Sequence, residues 1–180
     1  MNLPALKSVL ENAVAAGAIH GAVVAATDPA GTMFEFAVGR QSMNEPQPMQ
    51  VNSVFWVASM TKALTSVAAL QMVEAGKLKL DTPISDVLPD LAAPQVLEGF
   101  DADGKPRLRS AVGSITLRQL LSHTAGFSYE FSNPHLARYL KETKTPSAAT
   151  GLLAGLNQPL MSDPGTRWEY GINTDWVGRA

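Results

Sequence analysis

Hydrophobic positions in the first forty residues change their spacing twice. Apolar residues recur at helical intervals over residues 3–14, interrupted by charged residues, which predicts an amphipathic surface helix that ends near Gly17. Two apolar runs, residues 21–27 and 33–38, flank an Asp-Pro-Ala-Gly turn. They predict two strands joined by that turn, the first of them buried.

The segment from Ser59 to Val73 is apolar on nearly every side, and Lys62 is its only ionisable residue. A helix without a polar face is expected to be buried, and Gly76 marks its end. Lys62 lies in the first turn, where the helix dipole disfavours a positive charge. Burial and dipole together predict a lowered pKa for Lys62, which would make it a base.

The remainder of the chain is predicted to be mainly helical. Polar residues and an Asp-Ala-Asp-Gly turn predict a solvated hairpin over residues 95–113. A Thr-x-x-Gln capping box predicts a helix that begins at Thr116. Further helical stretches are expected after Leu80, over residues 134–142 and 147–157, and from Trp176 to Ala180.

Ser59 precedes Lys62 by three residues and therefore lies on the same face of the predicted helix. A hydroxyl beside a lysine of lowered pKa is one way to make a nucleophile. In the alternative interpretation, Ser59 only caps the helix and Lys62 extends its ammonium group to water. That alternative does not explain a lysine in the first turn of a buried helix.

Tyr170 and His123 are further candidates for chemistry. Tyr170 follows a Pro-Gly turn in a short loop that can direct a phenol into a cleft. A phenol beside a lysine loses its proton more readily and can act as a general base, although most tyrosines simply pack and donate hydrogen bonds. His123 follows Ser122, but the chain contains no Gly-x-Ser-x-Gly elbow, so we interpret His123 as structural.

Composition and charge exclude several classes of function. The formal net charge of −2 gives no electrostatic basis for binding nucleic acid or an anionic membrane. The chain has no cysteine and three widely separated histidines, so we expect neither disulfides nor a metal, and no cofactor. With no signal peptide and no long apolar span, a soluble cytoplasmic protein is expected.

Three ordered blocks together resemble the serine β-lactamase and penicillin-binding-protein superfamily, and within it the family VIII carboxylesterases. The blocks are Phe55-x-x-Ala-Ser-Met-Thr-Lys62, Leu120-Leu-Ser-His-Thr-Ala-Gly-Phe127 and Pro164-Gly-Thr-x-Trp-x-Tyr-Gly171. The resemblance implies an α+β fold of the β-lactamase type, in which helices flank an antiparallel sheet beside a mainly helical region.

The resemblance also implies roles for individual residues. Ser59 would be the acylated nucleophile, Lys62 its activating partner and Tyr170 the base that moves the proton. The backbone N–H of Ser59 would supply half of an oxyanion hole. Three aromatic residues, at the end of the second block and just after it, would contact the substrate: Phe127, Tyr129 and Phe131.

One departure bears on the substrate. β-Lactamases of class C carry Tyr-x-Asn, whereas Tyr170 is followed by Gly171 and Ile172, with Asn173 one place late. This difference favours a small-molecule ester over a β-lactam. Hydrolysis of short-chain carboxylic esters is therefore the leading hypothesis, with a β-lactamase or peptidase activity and an acyltransferase activity as alternatives.

Members of the family are much longer than 180 residues. Residues 1–180 are therefore expected to be the N-terminal part of one catalytic unit, divided into residues 1–58 with the first helix and strands and a mainly helical part over residues 59–180. A hypothesis from a different class follows. The chain would be an inactive half that works only with a C-terminal half or after self-association.

Overall fold

The computed structural model describes residues 3–180, which divide after Val57 into two compact units. The first unit contains one helix, α1 (Leu3–Ala15), and a hairpin of two strands, β1 (Gly21–Asp28) and β2 (Gly31–Gly39). The helix and both strands predicted here are present, and each strand extends slightly beyond its predicted bounds.

The hairpin of the first unit is antiparallel, and its turn is closed by one side chain. The Asp28 carboxylate accepts hydrogen bonds from the backbone N–H groups of Ala30 and Gly31 at 2.8 and 3.1 Å. The prediction that β1 is buried is wrong, because none of its residues falls in the buried class. A two-stranded ribbon has too little surface to enclose its own side chains.

The second unit contains four helices and a second antiparallel hairpin. A 3₁₀ turn at Ala58–Met60 leads directly into α2 (Thr61–Glu74), and the hairpin consists of β3 (Gln95–Phe100) and β4 (Pro106–Ser110). The remaining helices are α3 (Leu117–Leu121), α4 (Pro134–Thr143) and α5 (Asn173–Arg179).

Local sequence signals account for where these helices begin. The capping box at α3 is confirmed: the Thr116 hydroxyl accepts the N–H of Gln119 at 3.2 Å, and the Gln119 side chain accepts the N–H of Thr116 at 3.0 Å. At α4, Asn133 directly precedes Pro134, and its side chain accepts the backbone N–H groups of His135 and Leu136 in the first turn. The predicted helix over residues 147–157 is instead two short 3₁₀ turns, because Gly151 adopts a left-handed φ of 71° between them.

A hydrophobic core forms where α3, α5 and the segments around them meet. Its fully buried side chains include Leu117, Leu120, Phe127, Ile172 and Trp176. The hairpin over residues 95–110 joins this core through Val96, which is 4% exposed, so it is less solvated than predicted. Arg109 on β4 also forms a bidentate ion pair with Asp163, at 2.8 and 2.7 Å.

The prediction that α2 is buried is wrong. Among its side chains only Ala69 is buried, whereas Leu64 is 69% exposed and Val67 is 56% exposed. Within its unit, α2 packs mainly against α5, which covers one side of it. In the part of the chain that the structure describes, no helix is both long and apolar enough to cross a bilayer.

Candidate active site

Ser59 and Lys62 lie at the junction between the 3₁₀ turn and α2. The Lys62 ammonium nitrogen Nζ is 3.4 Å from Ser59 Oγ and donates a hydrogen bond to it. Ala58, immediately before the serine, has a positive φ of 44°, which is rare for a residue with a side chain. Such backbone strain is concentrated at functional sites, where the surrounding structure holds it in place.

Tyr170 reaches the same serine from the far end of the second unit. Its hydroxyl donates a hydrogen bond to Ser59 Oγ at 2.8 Å, across 111 residues of sequence. The loop that carries it is fixed by backbone hydrogen bonds from Gly165 to Thr124 at 2.7 Å and from Glu169 to His123 at 2.9 Å. The structure therefore brings the side chains of Ser59, Lys62 and Tyr170 together.

Tyr129 is a second phenol beside the lysine. Lys62 Nζ lies 5.5 Å from the ring centroid of Tyr129 and 5.0 Å from that of Tyr170, so both rings contact the ammonium group. The Tyr129 ring stacks on Phe131 with centroids 5.0 Å apart, and Phe131 is 76% exposed. Tyr129 and Phe131 thus form a stacked aromatic pair, of which Tyr129 lies beside Lys62 and Tyr170.

The structure corrects the prediction for Phe127. Its side chain is 2% exposed and stacks on Trp176 in the core, with ring centroids 6.1 Å apart. Gly126 turns the chain inward just before it. A side chain at Gly126 would lie 2.3 Å from the Ser162 carbonyl oxygen, so this close approach requires glycine. Phe127 is therefore a core residue and is not exposed to a substrate.

The electrostatics of the lysine differ from the prediction. Desolvation lowers the pKa of Lys62, but its contacts with the hydroxyls of Tyr170 and Tyr129 together outweigh that effect and raise it. The predicted lowering of the Lys62 pKa is therefore wrong. The reason is that α2 is exposed, so burial removes less hydration than expected, while two phenols stabilise the charged form.

The phenol carries the complementary shift. Its hydrogen bond with Lys62, and then that with Ser59, lower the pKa of Tyr170 below the usual range of a tyrosine. Burial raises the pKa of Tyr129, its nearest phenolic neighbour. The tyrosine that touches the serine is thus the one that ionises more readily. Lys62, whose own pKa is raised, is the cation beside it.

Residues 171–173, directly after Tyr170, pack against the core, and their side chains cannot reach a ligand. Asn173 is fully buried, and its side-chain amide donates to His123 Nδ1 at 3.0 Å. Ile172, which occupies the place of the Asn in Tyr-x-Asn, is also fully buried. A side chain at Gly171 would lie 2.4 Å from the Phe127 carbonyl oxygen, so the loop packs backbone against backbone there.

Sequence reasoning missed part of the site wall. An open cavity of about 380 Å³ adjoins Ser59 and Lys62. On its other sides lie side chains from α2 and α5: Thr65, Thr174 and Asp175. Asp175 accepts a weak hydrogen bond from the Tyr129 hydroxyl at 3.4 Å. No motif marks these residues, because only the packing of α2 against α5 brings them beside the serine.

Candidate metal ligands do not cluster in the described residues 3–180, where no group of three or more His, Asp or Glu side chains could hold an ion. The chemistry available in this arrangement comes from three groups: a hydroxyl, a phenol of lowered pKa and an ammonium group. Such a set fits proton transfer to and from a serine nucleophile.

Comparison with known proteins identifies the family of this chain. The family model described as Beta-lactamase matches residues 6–179. Acyltransferase mokF of Monascus pilosus is 41% identical over 181 residues, covering 97% of this chain and 44% of that protein. Lovastatin esterase of Penicillium rubens is 39% identical over 179 residues, covering 97% of this chain and 45% of that protein.

A solved structure shows the same fold. Simvastatin synthase (LovD) from Aspergillus terreus, in its unliganded selenomethionyl form, superposes with a TM-score of 0.82 and 40% sequence identity. The match covers 98% of this chain and 46% of that one, so the chain spans less than half the length of the relatives it matches. The predicted β-lactamase-like fold, partial relative to those proteins, is confirmed. The chain belongs to the beta-lactamase family.

Proposed function

We propose that the protein transfers acyl groups through a covalent ester on Ser59. The observation that carries this proposal is the position of Ser59 Oγ, which lies 2.8 Å from the Tyr170 hydroxyl and 3.4 Å from Lys62 Nζ. A serine between a phenol of lowered pKa and an ammonium group has both a base for its proton and a cation to stabilise that base.

In the first half of the proposed reaction, the Tyr170 phenolate takes the proton of Ser59 as Oγ attacks the substrate carbonyl. The resulting tetrahedral intermediate carries its negative charge on the former carbonyl oxygen, and the backbone N–H of Ser59 would donate to it. The intermediate then collapses, the bond to the leaving group breaks, and the leaving oxygen or sulfur takes the proton from Tyr170. Ser59 is left acylated.

In the second half, the roles of Tyr170 repeat. An acceptor hydroxyl gives its proton to the phenolate and attacks the acyl-Ser59 carbonyl. Collapse of the second intermediate returns the proton to Ser59 Oγ and releases the new ester, or the free acid if the acceptor is water. Lys62 remains an ammonium ion throughout and holds Tyr170 in the form that accepts a proton.

The acceptor decides whether the protein is an acyltransferase or an esterase. Similarity to acyltransferase mokF and to simvastatin synthase supports transfer to the hydroxyl of an alcohol, which we propose as the main activity. Similarity to lovastatin esterase supports hydrolysis of short-chain esters as the second candidate. Burial of Asn173 and Ile172 argues against a β-lactam substrate, because neither side chain can reach a ligand amide.

The test measures acyl transfer from p-nitrophenyl butyrate with and without an added alcohol. Ser59→Ala is the test variant, and Ser8→Ala, an exposed serine on α1, is the matched control. The proposal predicts release of p-nitrophenol and a butyrylated Ser59 in the intact mass of the wild type and the control, and neither in Ser59→Ala. New ester formed with the alcohol would identify a transferase, and free butyrate alone an esterase.

We also propose that the active protein covers the exposed side of α2 with another polypeptide segment. Leu64, Val67 and Leu70 are between 47% and 69% exposed on this helix, next to the candidate nucleophile. The chain alone and the chain with a polypeptide equivalent to the rest of its longer relatives would be compared in the same assay. If the two samples have equal rates and the chain alone sediments as a monomer, this proposal is contradicted. That outcome would not bear on the proposed role of Ser59.

A further inference from the structure

The segment that carries Tyr170 is held from both sides by one residue, His123. The backbone carbonyl of His123 accepts the N–H of Glu169 at 2.9 Å, directly before Tyr170. Its ring nitrogen Nδ1 accepts the backbone N–H of Gly171 at 3.4 Å, directly after Tyr170. The same nitrogen is 3.0 Å from the amide nitrogen of Asn173. His123 thus contacts the chain on each side of the phenol.

These contacts fix the protonation state of the imidazole. The backbone N–H of Gly171 is always a donor, so Nδ1 of His123 must be an acceptor and its proton must lie on Nε2. The Asn173 amide points a second donor at the same nitrogen. Asn173 is fully buried, and its other hydrogen bond, to the Glu169 carbonyl oxygen, is long at 3.5 Å. Its satisfaction depends largely on His123.

The ring also packs directly against the phenol. The ring centroids of His123 and Tyr170 are 4.8 Å apart, and the edge of His123 faces Trp168 at 6.4 Å. The residue reaches this position because its backbone adopts a left-handed φ of 57° straight after α3. Histidine tolerates this conformation better than most residues do.

We propose that His123 is a positioning residue that holds the Tyr170 phenol beside Ser59. This role rests on the proposed function, since it matters to catalysis only if Tyr170 exchanges a proton with the serine. A histidine that only ended α3 would need neither the Nδ1 contacts nor the ring contact. Their common target is the segment 169–173, with Tyr170 at its centre.

The arrangement makes the site sensitive to acid. A protonated His123 would point an N–H at two groups that are themselves donors, so it would release Gly171 and Asn173. Desolvation, and then the charge of Lys62 on α2, lower the pKa of His123, while Asp175 on α5 opposes them. The other titratable groups near His123 are the Tyr170 phenol, whose ring packs on the imidazole, and Glu169, whose backbone N–H donates to the His123 carbonyl oxygen. An additional loss of activity is therefore expected at pH values below the usual histidine pKa of about 6.5.

Two substitutions separate the hydrogen bonds from the packing. His123→Asn keeps an acceptor oxygen where Nδ1 lies and tolerates the left-handed backbone, but it cannot be protonated. His123→Phe keeps an aromatic ring and removes the acceptor. His135→Asn, on α4, is the matched control at a histidine that stacks on Phe100. Activity, its pH profile and the tyrosinate absorbance of each variant are measured, with Tyr170→Phe used to assign the Tyr170 signal.

The expected result has three parts. His123→Phe loses up to about 100-fold in kcat, as a displaced catalytic group does, with KM little changed. Its Tyr170 pKa returns upward, because the phenol no longer meets Lys62. His123→Asn keeps most of the activity and follows the Tyr170 slope alone, without the additional fall below the histidine range that the wild type shows and His135→Asn retains.

Three results would overturn the proposal. One is an unchanged Tyr170 pKa and an unchanged kcat in His123→Phe. Another is the same additional fall in activity below the histidine range in His123→Asn as in the wild type. The third is an equal loss in both variants. If no protein, including the wild type, transfers an acyl group, the proposed function fails, and the tyrosinate titration still decides whether His123 holds Tyr170 beside Lys62.

Discussion

The two sides of the candidate site are built in different ways. Ser59 lies in the 3₁₀ turn before α2 and Lys62 in the first turn of α2, a helix on which only Ala69 is buried. Tyr170 leads into a segment that is packed into the core, where Ile172 and Asn173 are fully buried and Trp176 is 3% exposed. Tyr170 is therefore attached to a tightly packed segment, whereas Ser59 is not. Within the second unit, the nucleophile side is ordered mainly by α5 and by the polar contacts at Ser59 and Lys62.

Because of this difference, substitutions on the two sides should have different effects on stability and activity. Substitutions beneath Tyr170 remove buried contacts and should lower the free energy of unfolding, whereas substitutions on the outer side of α2 should leave it almost unchanged. Removing a reacting group should lower activity and leave stability intact. The expectations below run from the largest effect to the smallest.

Tyr170→Phe deletes the hydroxyl that contacts Ser59 and keeps the ring that packs on His123. We expect kcat/KM to fall by about 10²–10⁴-fold, the usual contribution of a general base, with little change in the midpoint of urea unfolding. Tyr139→Phe, on α4, is the matched control and should retain full activity. Near-normal turnover by Tyr170→Phe would remove the phenol from the mechanism.

Phe127→Ala tests the rigid side. The ring is 2% exposed and stacks on Trp176, so its removal should cost about 3–5 kcal/mol of the free energy of unfolding, measured by urea titration. The loss combines burial with the cavity that remains. A cost below about 1 kcal/mol would mean that the core beneath Tyr170 is loosely packed and that the two sides are equally soft.

The pH profile tests how the two sides are coupled. In the proposed mechanism Tyr170 acts as a base, so activity should rise with pH as the phenol ionises, by about tenfold per unit, and level off above its pKa. Hydrogen bonds with Lys62 and then Ser59 lower the pKa of Tyr170, so the plateau should begin below the usual tyrosine value near about 10.

Lys62→Met supplies the control for this profile. Without the ammonium group, the Tyr170 pKa should return upward and the tyrosinate absorbance should appear at higher pH. An unchanged titration in Lys62→Met would show that Lys62 does not stabilise the phenolate.

Leu64→Ala gives the smallest effect. Leu64 is 69% exposed on α2, so its truncation should change the free energy of unfolding by less than about 0.5 kcal/mol. A cost of about 2 kcal/mol or more, measured by the same urea titration, would mean that this side of α2 is covered in solution.

Local signals in the sequence predicted the local features well. The capping box at Thr116, the hairpin of the first unit and the helix over residues 134–142 all follow from short-range rules on capping, turns and periodicity. Motif order also brought Ser59, Lys62 and Tyr170 into one site, although they are far apart in the sequence. The β-lactamase-like fold followed from the same three blocks.

Features that depend on packing were predicted poorly. The apolar character of α2 indicated burial, and this in turn gave the wrong direction for the Lys62 pKa, because exposure reduced desolvation while Tyr129 and Tyr170 added hydrogen bonds. Phe127 was assigned to the site by proximity in sequence, yet the turn at Gly126 sends it into the core. Asp175 was missed because only the packing of α5 on α2 brings it to the cavity.

The edge contact between His123 and Trp168 gives the site a built-in optical reporter. An imidazolium ion quenches indole fluorescence more strongly than a neutral imidazole does, and these two rings lie 6.4 Å apart. Trp168 is also 67% exposed, so its emission lies to the red of that from Trp176 in the core. Trp56 is 96% exposed and emits in the same range, so in a Trp56→Phe variant the ionisation of a residue beside the proposed general base can be followed by emission intensity, without any substrate.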